Sequence, residues 1–395
     1  MSEGNLKELA VETTHSFAAP AKINLLLYVD KRLRTGQHLI RTLICLTSLA
    51  DKIELSITKG SGINLTVDLS PSVSEHFAHL PGGDREIRAI TSALTSAQSN
   101  LGSRAARSYL HAAKLENEVS VNIRLFKEIP FQAGLGGGSS DAAAVLHEMD
   151  RLLGALPFEL LMELAGELGT DVPSIFHLLQ AAEAGAERRS PKSPLVFAHG
   201  TGLRLLPVSL GRASRKIIED IAMIIIKPPI GISTGLAYDS LGFPLGSQDL
   251  ISAPGYSDFS ELGALERPTL AKLQAMDIHA YSAEENIKSS ETEALTIRDT
   301  DGSSGGRSIA DFDRNMGILS LFENDFERAL RGKVPELDRA WCMFEEVGAL
   351  KCLLAGSGSS LIGFFFGREA ADHAAERLRA LAPSGWFLSR AGILF

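Results

Sequence analysis

The segment from Val119 to Leu153 constrains the fold more than any other part of the chain. VSVNIRLFK alternates apolar and polar side chains, IPFQAGLGGGSS is a glycine-rich loop, and an Ala-rich stretch follows from about Ser140 to Leu153. The period of two reads as a strand with one buried face and the Ala-rich run as a helix. A strand that passes through Gly134-Leu135-Gly136-Gly137-Gly138-Ser139-Ser140 straight into a helix aims backbone N–H groups and the positive helix end at one point. An anion is stabilised there, so the segment reads as a phosphate cradle. No Gly-Lys-Ser/Thr follows, which excludes a Walker A loop, and Ser139 stands where a dinucleotide fingerprint needs its last glycine. A flexible loop with Ser139 or Ser140 capping the helix is the plainer alternative.

Strands are expected on either side of this unit. Ser16 to Val29 and Leu39 to Ala50 are apolar runs, and Lys52 to Thr58 alternates like a half-buried strand. Residues 70 to 84 read as a turn-rich excursion, Arg85 to Leu115 as helical, and further helices are expected at 157 to 168 and 171 to 180. A loop-like stretch with Pro191 and Pro194 marks a boundary near 185 to 215, and Ile217 to Lys227 reads as a buried strand stopped by proline. From 243 to 310 the composition turns to Ser, Gly, Thr and acidic residues, the mark of an insertion. Helical periodicity returns from Asn315, followed by a glycine turn at 356 to 358, a strand at 360 to 366, and a closing helix and strand. At roughly 150 residues per domain, two or three domains are expected.

Charge narrows the partners. Thirty-nine Lys and Arg against 48 Asp and Glu leave a net charge of −9, so no global positive field exists to hold nucleic acid or an anionic membrane. A local site for a small anion is compatible with that balance. Cys45, Cys342 and Cys352 show neither disulfide-framework nor zinc spacing, which points to a reducing compartment. The polar, acidic leader over residues 1 to 15 has no apolar core, and apolar runs such as Leu361 to Phe366 fall far short of the roughly 20 residues needed to span a bilayer. A cytoplasmic protein is expected.

Pro130 through Ala144 (PFQAGLGGGSSDAAA) closely resembles the second signature of the GHMP kinases. Ala19-Pro-Ala-Lys-Ile-Asn-Leu25 resembles their first signature and Leu354-Ala-Gly-Ser-Gly-Ser-Ser360 their third, in the same order. Within that superfamily the details are similar to the 4-diphosphocytidyl-2-C-methyl-D-erythritol kinases of the non-mevalonate isoprenoid pathway. Gly169-Thr-Asp-Val-Pro173, Ser99-Asn-Leu101 with Arg104-Ala-Ala-Arg107, and Asn324-Asp-Phe-Glu327 resemble segments of that family. The resemblance covers about 16 to 240 and 312 to 395. It implies an α+β two-domain fold. An N-terminal domain like domain 2 of ribosomal protein S5 would occupy 16 to 210, and a ferredoxin-like C-terminal domain carrying the 243 to 310 insertion would occupy 211 to 395.

The resemblance also implies roles. Asp171 matches the catalytic base, with helix capping as the competing or coexisting role, and Lys22 matches a lysine that keeps that carboxylate ionised, against a strand-end lysine in solvent. ATP, with Mg²⁺ and no dedicated metal ligand, would lie along Asn100, Lys127, Pro130 and the loop Gly134, Leu135, Gly136, Gly137, Gly138, Ser139 and Ser140. For Asn100 the alternative is a helix N-cap, and for Lys127 an exposed strand-end cation. The acceptor, a cytidyl-diphospho sugar alcohol, would meet Asn24, Gln37, His38, Thr234, Gly356, Ser357 and Gly358. Gln37 departs from the family, whose tyrosine stacks on cytosine at this position, and Pro229 to Thr234 offers no ring either. Another alcohol such as mevalonate, phosphomevalonate or homoserine, or a metabolite sensor without catalysis, are the other readings. A monomer or weak homodimer is expected, with no nucleic-acid or membrane partner.

Overall fold

A computed structural model of the chain describes residues 13–80, 83–188, 194–243, 278–280 and 317–394. Its first sheet is built on two long strands, β1 (Thr14–Arg32) and β2 (His38–Lys59), which pair antiparallel from Thr14 opposite Ser56 to Arg32 opposite His38. β3 (Gly62–Leu69) follows, then helices α1 (Pro71–Ala78), α2 (Gly83–Thr95) and α3 (Leu101–Ala113), and β4 (Val119–Lys127), which lies between β2 and β3. After α4 (Gly137–Leu153), α5 (Phe158–Leu168) and α6 (Val172–Arg188), β5 (Leu195–Gly200) and β6 (Arg204–Leu210) extend the sheet beyond the first half of β2. Buried side chains of α3, α4, α5 and α6 close one core against this sheet.

The second sheet begins after α7 (Arg212–Glu219) with β7 (Ile221–Lys227) and α8 (Thr234–Ser240). The chain then returns twice to the first sheet: β8 (Ile278–Ala280) pairs with β6, and β9 (Glu323–Asn324) pairs with β1. Helices α9 (Asp325–Leu330) and α10 (Pro335–Glu346) lead into β10 (Lys351–Leu354), β11 (Leu361–Phe366), α11 (Arg368–Leu381) and β12 (Phe387–Gly392). The spatial order β10-β11-β7-β12 is antiparallel throughout. Two βαβ halves interleaved in that order are the ferredoxin-like arrangement. A second core lies between the two sheets, formed among others by Ile23, Phe197, Ile225 and Phe364, and a third seats α9, α10 and α11 on the second sheet. The α+β, two-domain fold is therefore present.

Several local expectations need correction. The two strands expected at 39 to 50 and 52 to 58 are one, because Asp51, the polar residue between them, is buried with its carboxylate fully bonded. The excursion at 70 to 84 contains α1, whose Ser70 hydroxyl caps Val73 N and whose Pro71 fills the first turn. The helical run 85 to 115 is broken at Asn100, which caps α3. The stretch read as loop before 215 holds β5 and β6; full burial of Leu195 to His199 masks any alternation in β5. Ile217 and Ile218 belong to α7, so the buried strand starts at Ile221. Most of the insertion, including 285 to 310, lies outside the described residues.

Candidate active site

Lys22 and Asn24 are two residues apart on β1 and therefore share a face, while Ala21, Ile23 and Leu25 point the other way into the core between the sheets. The β1–β2 register is irregular between Pro20 and Lys22 and again between Asn24 and Leu26. Such irregularities re-aim side chains beside functional sites, and here they bracket the two polar residues. Lys22 Nζ donates to Asn24 Oδ1 at 2.7 Å, and Asn24 Nδ2 donates to the buried Thr42 hydroxyl at 2.8 Å. Thr42 thus fixes the amide that holds the ammonium. The ammonium lies 3.2 Å from Asp171 Oδ2, at the residue just before α6. The aspartate side chain is about one-third exposed (35%) and the lysine side chain nearly buried (6%), so the carboxylate faces the cavity with the cation behind it.

That cavity measures about 620 Å³. Its wall brings together Lys22, Asn24, Asn100, Lys127, Pro130, Gly134 to Ser139, Asp171, Thr234 and Gly356 to Gly358. The glycines are steric requirements. A Cβ on Gly136 would stand 2.7 Å from Lys22 Cγ, and one on Gly134 would stand 1.8 Å from the Ala355 carbonyl oxygen. The second and third glycine segments thus touch backbone to backbone. Gly136 is also the N-cap of α4 at φ +67°, and no side chain caps that helix. Its first N–H groups open toward the cavity wall, ready for an anion. Ser139 and Ser140 therefore do not act as caps. Ser140 lies off the wall, since its buried hydroxyl donates to the Pro20 carbonyl at 2.6 Å and ties α4 to β1.

Asn100 lines the cavity, but its side chain is already engaged: Oδ1 accepts from Ser103 N and Nδ2 donates to the Leu94 carbonyl. Lys127 is buried and bonded to Asp51 and, at 2.8 Å, to Asp141. Burial opposes its charge, yet Asp141 and Asp51 more than offset that and hold the ammonium above its ordinary pKa. Burial pushes the Asp141 carboxyl well up. Asp51 also accepts from Glu128 N at 2.6 Å and Ile129 N at 2.8 Å, so the cluster anchors the chain where it enters the glycine loop. Lys127 is thus neither exposed nor free of partners; two of its three donors go to carboxylates.

On the other side, Thr234 and Ser357 hydroxyls lie 3.3 Å apart across the cleft rim. Asn324 holds the third glycine segment, donating from Nδ2 to the carbonyls of Leu354 (2.8 Å) and Gly356 (2.7 Å) while capping Phe326 N. Gln37 is exposed and does not line the cavity. His38 is also set back, its ring stacked at 4.2 Å on Tyr238, with Phe243 edge-on at 6.4 Å. Burial and the nearby Arg32 lower the His38 pKa, which favours neutral imidazole. Tyr238 does line the cavity. Four residues beyond Thr234 on α8, it stands on the same helix face, so a ring absent from 229 to 234 is supplied one turn later. Burial, with Asp171 adding to it, pushes the Tyr238 phenol to about 12.

Two family models match: "GHMP kinases N terminal domain" over residues 100–178 and "GHMP kinases C terminal" over 298–384. A 4-diphosphocytidyl-2-C-methyl-D-erythritol kinase of Solibacter usitatus is 30% identical over 361 residues, 91% of this chain and 84% of that protein. The chain belongs to the GHMP kinase family. A relative of the same description from Desulfotalea psychrophila is 27% identical over 92% of this chain and 89% of its own length. Among solved structures, a 4-(cytidine 5'-diphospho)-2C-methyl-D-erythritol kinase superposes with a TM-score of 0.55 at 26% identity, covering 96% of this chain and 99% of that one. Methanococcus jannaschii mevalonate kinase shares the fold, with a TM-score of 0.53 at 11% identity over 97% of this chain and 99% of its own. Among the described residues, no helix of this GHMP kinase is long and apolar enough to cross a membrane.

Proposed function

We propose that this GHMP kinase transfers the γ-phosphoryl group of ATP to the 2-hydroxyl of 4-diphosphocytidyl-2-C-methyl-D-erythritol, as the names of its relatives indicate. The single observation that carries the reading is the Lys22–Asp171 contact on the wall of a cavity that also receives the uncapped N-terminus of α4. Phosphoryl transfer needs an anion seat, a base for the attacking hydroxyl and a cation near the developing alkoxide. All three lie on one wall. The α4 N–H groups and the side-chain-free Gly136 and Gly137 fit a triphosphate. ATP bound there supplies the phosphoryl group, and Mg²⁺ arriving with it neutralises phosphate charge.

Asp171 then accepts the proton of the acceptor hydroxyl, and Lys22, held by Asn24 and Thr42, favours the emerging alkoxide. Thr234, Tyr238 and Ser357 face the acceptor side. A sensor without catalysis has no use for a cation fixed against a half-open carboxylate. The three unpaired cysteines suit a reducing, cytoplasmic location, and we take the protein as a monomer or weak homodimer. ADP release by the purified chain with Mg-ATP and a panel of acceptors tests the reading. It requires turnover with the cytidyl-diphospho alcohol above that with mevalonate, phosphomevalonate or homoserine; faster turnover of any of those three overturns it.

A further inference from the structure

Lys227, the last residue of β7, is fully buried (0% exposed), and its bonded partners are all neutral. Its ammonium donates to the Pro228 carbonyl (3.2 Å), the Ile230 carbonyl (2.7 Å) and the Ser359 hydroxyl (3.1 Å). Three donors meet three acceptors, so its hydrogen-bonding capacity is spent. Ser359 Oγ lies 2.7 Å from the Ile230 carbonyl, to which it donates, and Ser359 N donates to the Gln132 carbonyl at 3.4 Å. Burial pushes the amine down to about 7, the cost of an ammonium without a counter-charge. A chain needing only packing here would place an apolar residue, as Ile224 to Ile226 just before it do.

Two segments meet at this amine, and another joins them through Ser359, whose N–H donates to the Gln132 carbonyl. Pro228 to Thr234 leads to the start of α8 with Thr234 and Tyr238, Phe131 to Gly134 leads into the phosphate-facing loop, and Gly356 to Ser360 carries Ser357. Gln132, at φ +50°, packs its side chain so closely on Gly231 that a Cβ there would stand 1.9 Å from Oε1. The first and third segments form the acceptor rim, where Thr234 and Ser357 approach one another. We propose that Lys227 is a positioning residue that fastens Pro228–Thr234 to the Ser357–Ser359 turn and so sets the acceptor side of the cleft, an inference that rests on the kinase reading above for which substrate lies there. Its action is confined to that side, because the anion seat at α4 is anchored separately by Lys127, Asp51 and Asp141.

The test compares Lys227→Met, which keeps the apolar length of the side chain, and Ser359→Ala with the wild-type chain. In steady state each variant should raise the acceptor KM about five- to tenfold while the ATP KM stays within twofold. Amide hydrogen exchange, which needs no substrate, should quicken about tenfold in 228–240 and 356–360 and stay unchanged in 136–145. Exchange decides the positioning role even where no acceptor turns over, an outcome that would count against the kinase reading alone. Unaltered exchange in both segments overturns the proposal, as does an equal rise in both KM values. Should Lys227→Met not fold, Ser359→Ala carries the same two readouts.

Discussion

Asp171 stands immediately before α6, a position that suits a helix cap as well as a base, and its carboxylate lies 3.2 Å from the Lys22 ammonium. Positioned acid–base groups contribute about 10²- to 10⁴-fold in rate, so Asp171→Asn and Lys22→Ala should each lower kcat by that order with ATP binding retained. Wild-type kcat in Asp171→Asn would leave only the cap. The ring at Tyr238 makes a second distinction. Stacking on a base is worth about 1 to 3 kcal/mol, and Tyr238 is on the cavity wall while Gln37 is exposed. Tyr238→Leu should therefore raise the acceptor KM from roughly fivefold to a hundredfold with little change in kcat, and Gln37→Tyr should leave it unchanged. A lowered KM in Gln37→Tyr would put that residue at the base after all. Lys22, Asn24 and Asp171 were legible in the sequence because their chemistry is local to short motifs. Tyr238 was less so, since its place depends on one turn of α8 and on stacking with His38, far away in sequence.

At the scale of elements, β4, its glycine loop and α4 could be read directly, because alternation, glycine spacing and an Ala-rich run are all short-range signals. What could not be read is what holds them. Asp51 and Lys127 are 76 residues apart, and no period links them; an acid in the middle of a long buried strand was the available hint. Removing one partner of a buried ion cluster costs about 3 to 5 kcal/mol, so Lys127→Met should lose stability of that order in urea unfolding. The loss should be larger at pH 8 than at pH 5, because the Asp141 carboxyl, already pushed up by burial, is readily protonated in acid. A loss below about 1 kcal/mol would place the cluster among weak surface pairs. The strand β5 carries no such signal for a related reason: a fully buried strand loses the alternation that marks one.

For the whole molecule, Lys227 contributes a pH dependence whose sign is fixed. Its amine falls from 10.5 in the open chain to about 7 when folded, so the unfolded chain binds more protons between those values and stability rises with pH across that window. The melting temperature of the wild-type chain should gain on that of Lys227→Met from pH 7 to pH 10, and parallel curves would contradict it. The insertion is a separate matter. Deleting 285 to 310 should leave kcat within about twofold; loss of turnover would contradict reading that segment as dispensable for the reaction. Everything converges on one reaction, and phosphorus NMR of the products reads it most directly. With Mg-ATP and the cytidyl-diphospho alcohol, a new phosphomonoester on the 2-hydroxyl and one ADP for each ester formed are expected. Inorganic phosphate alone, or an ester formed only on a different alcohol, would contradict it.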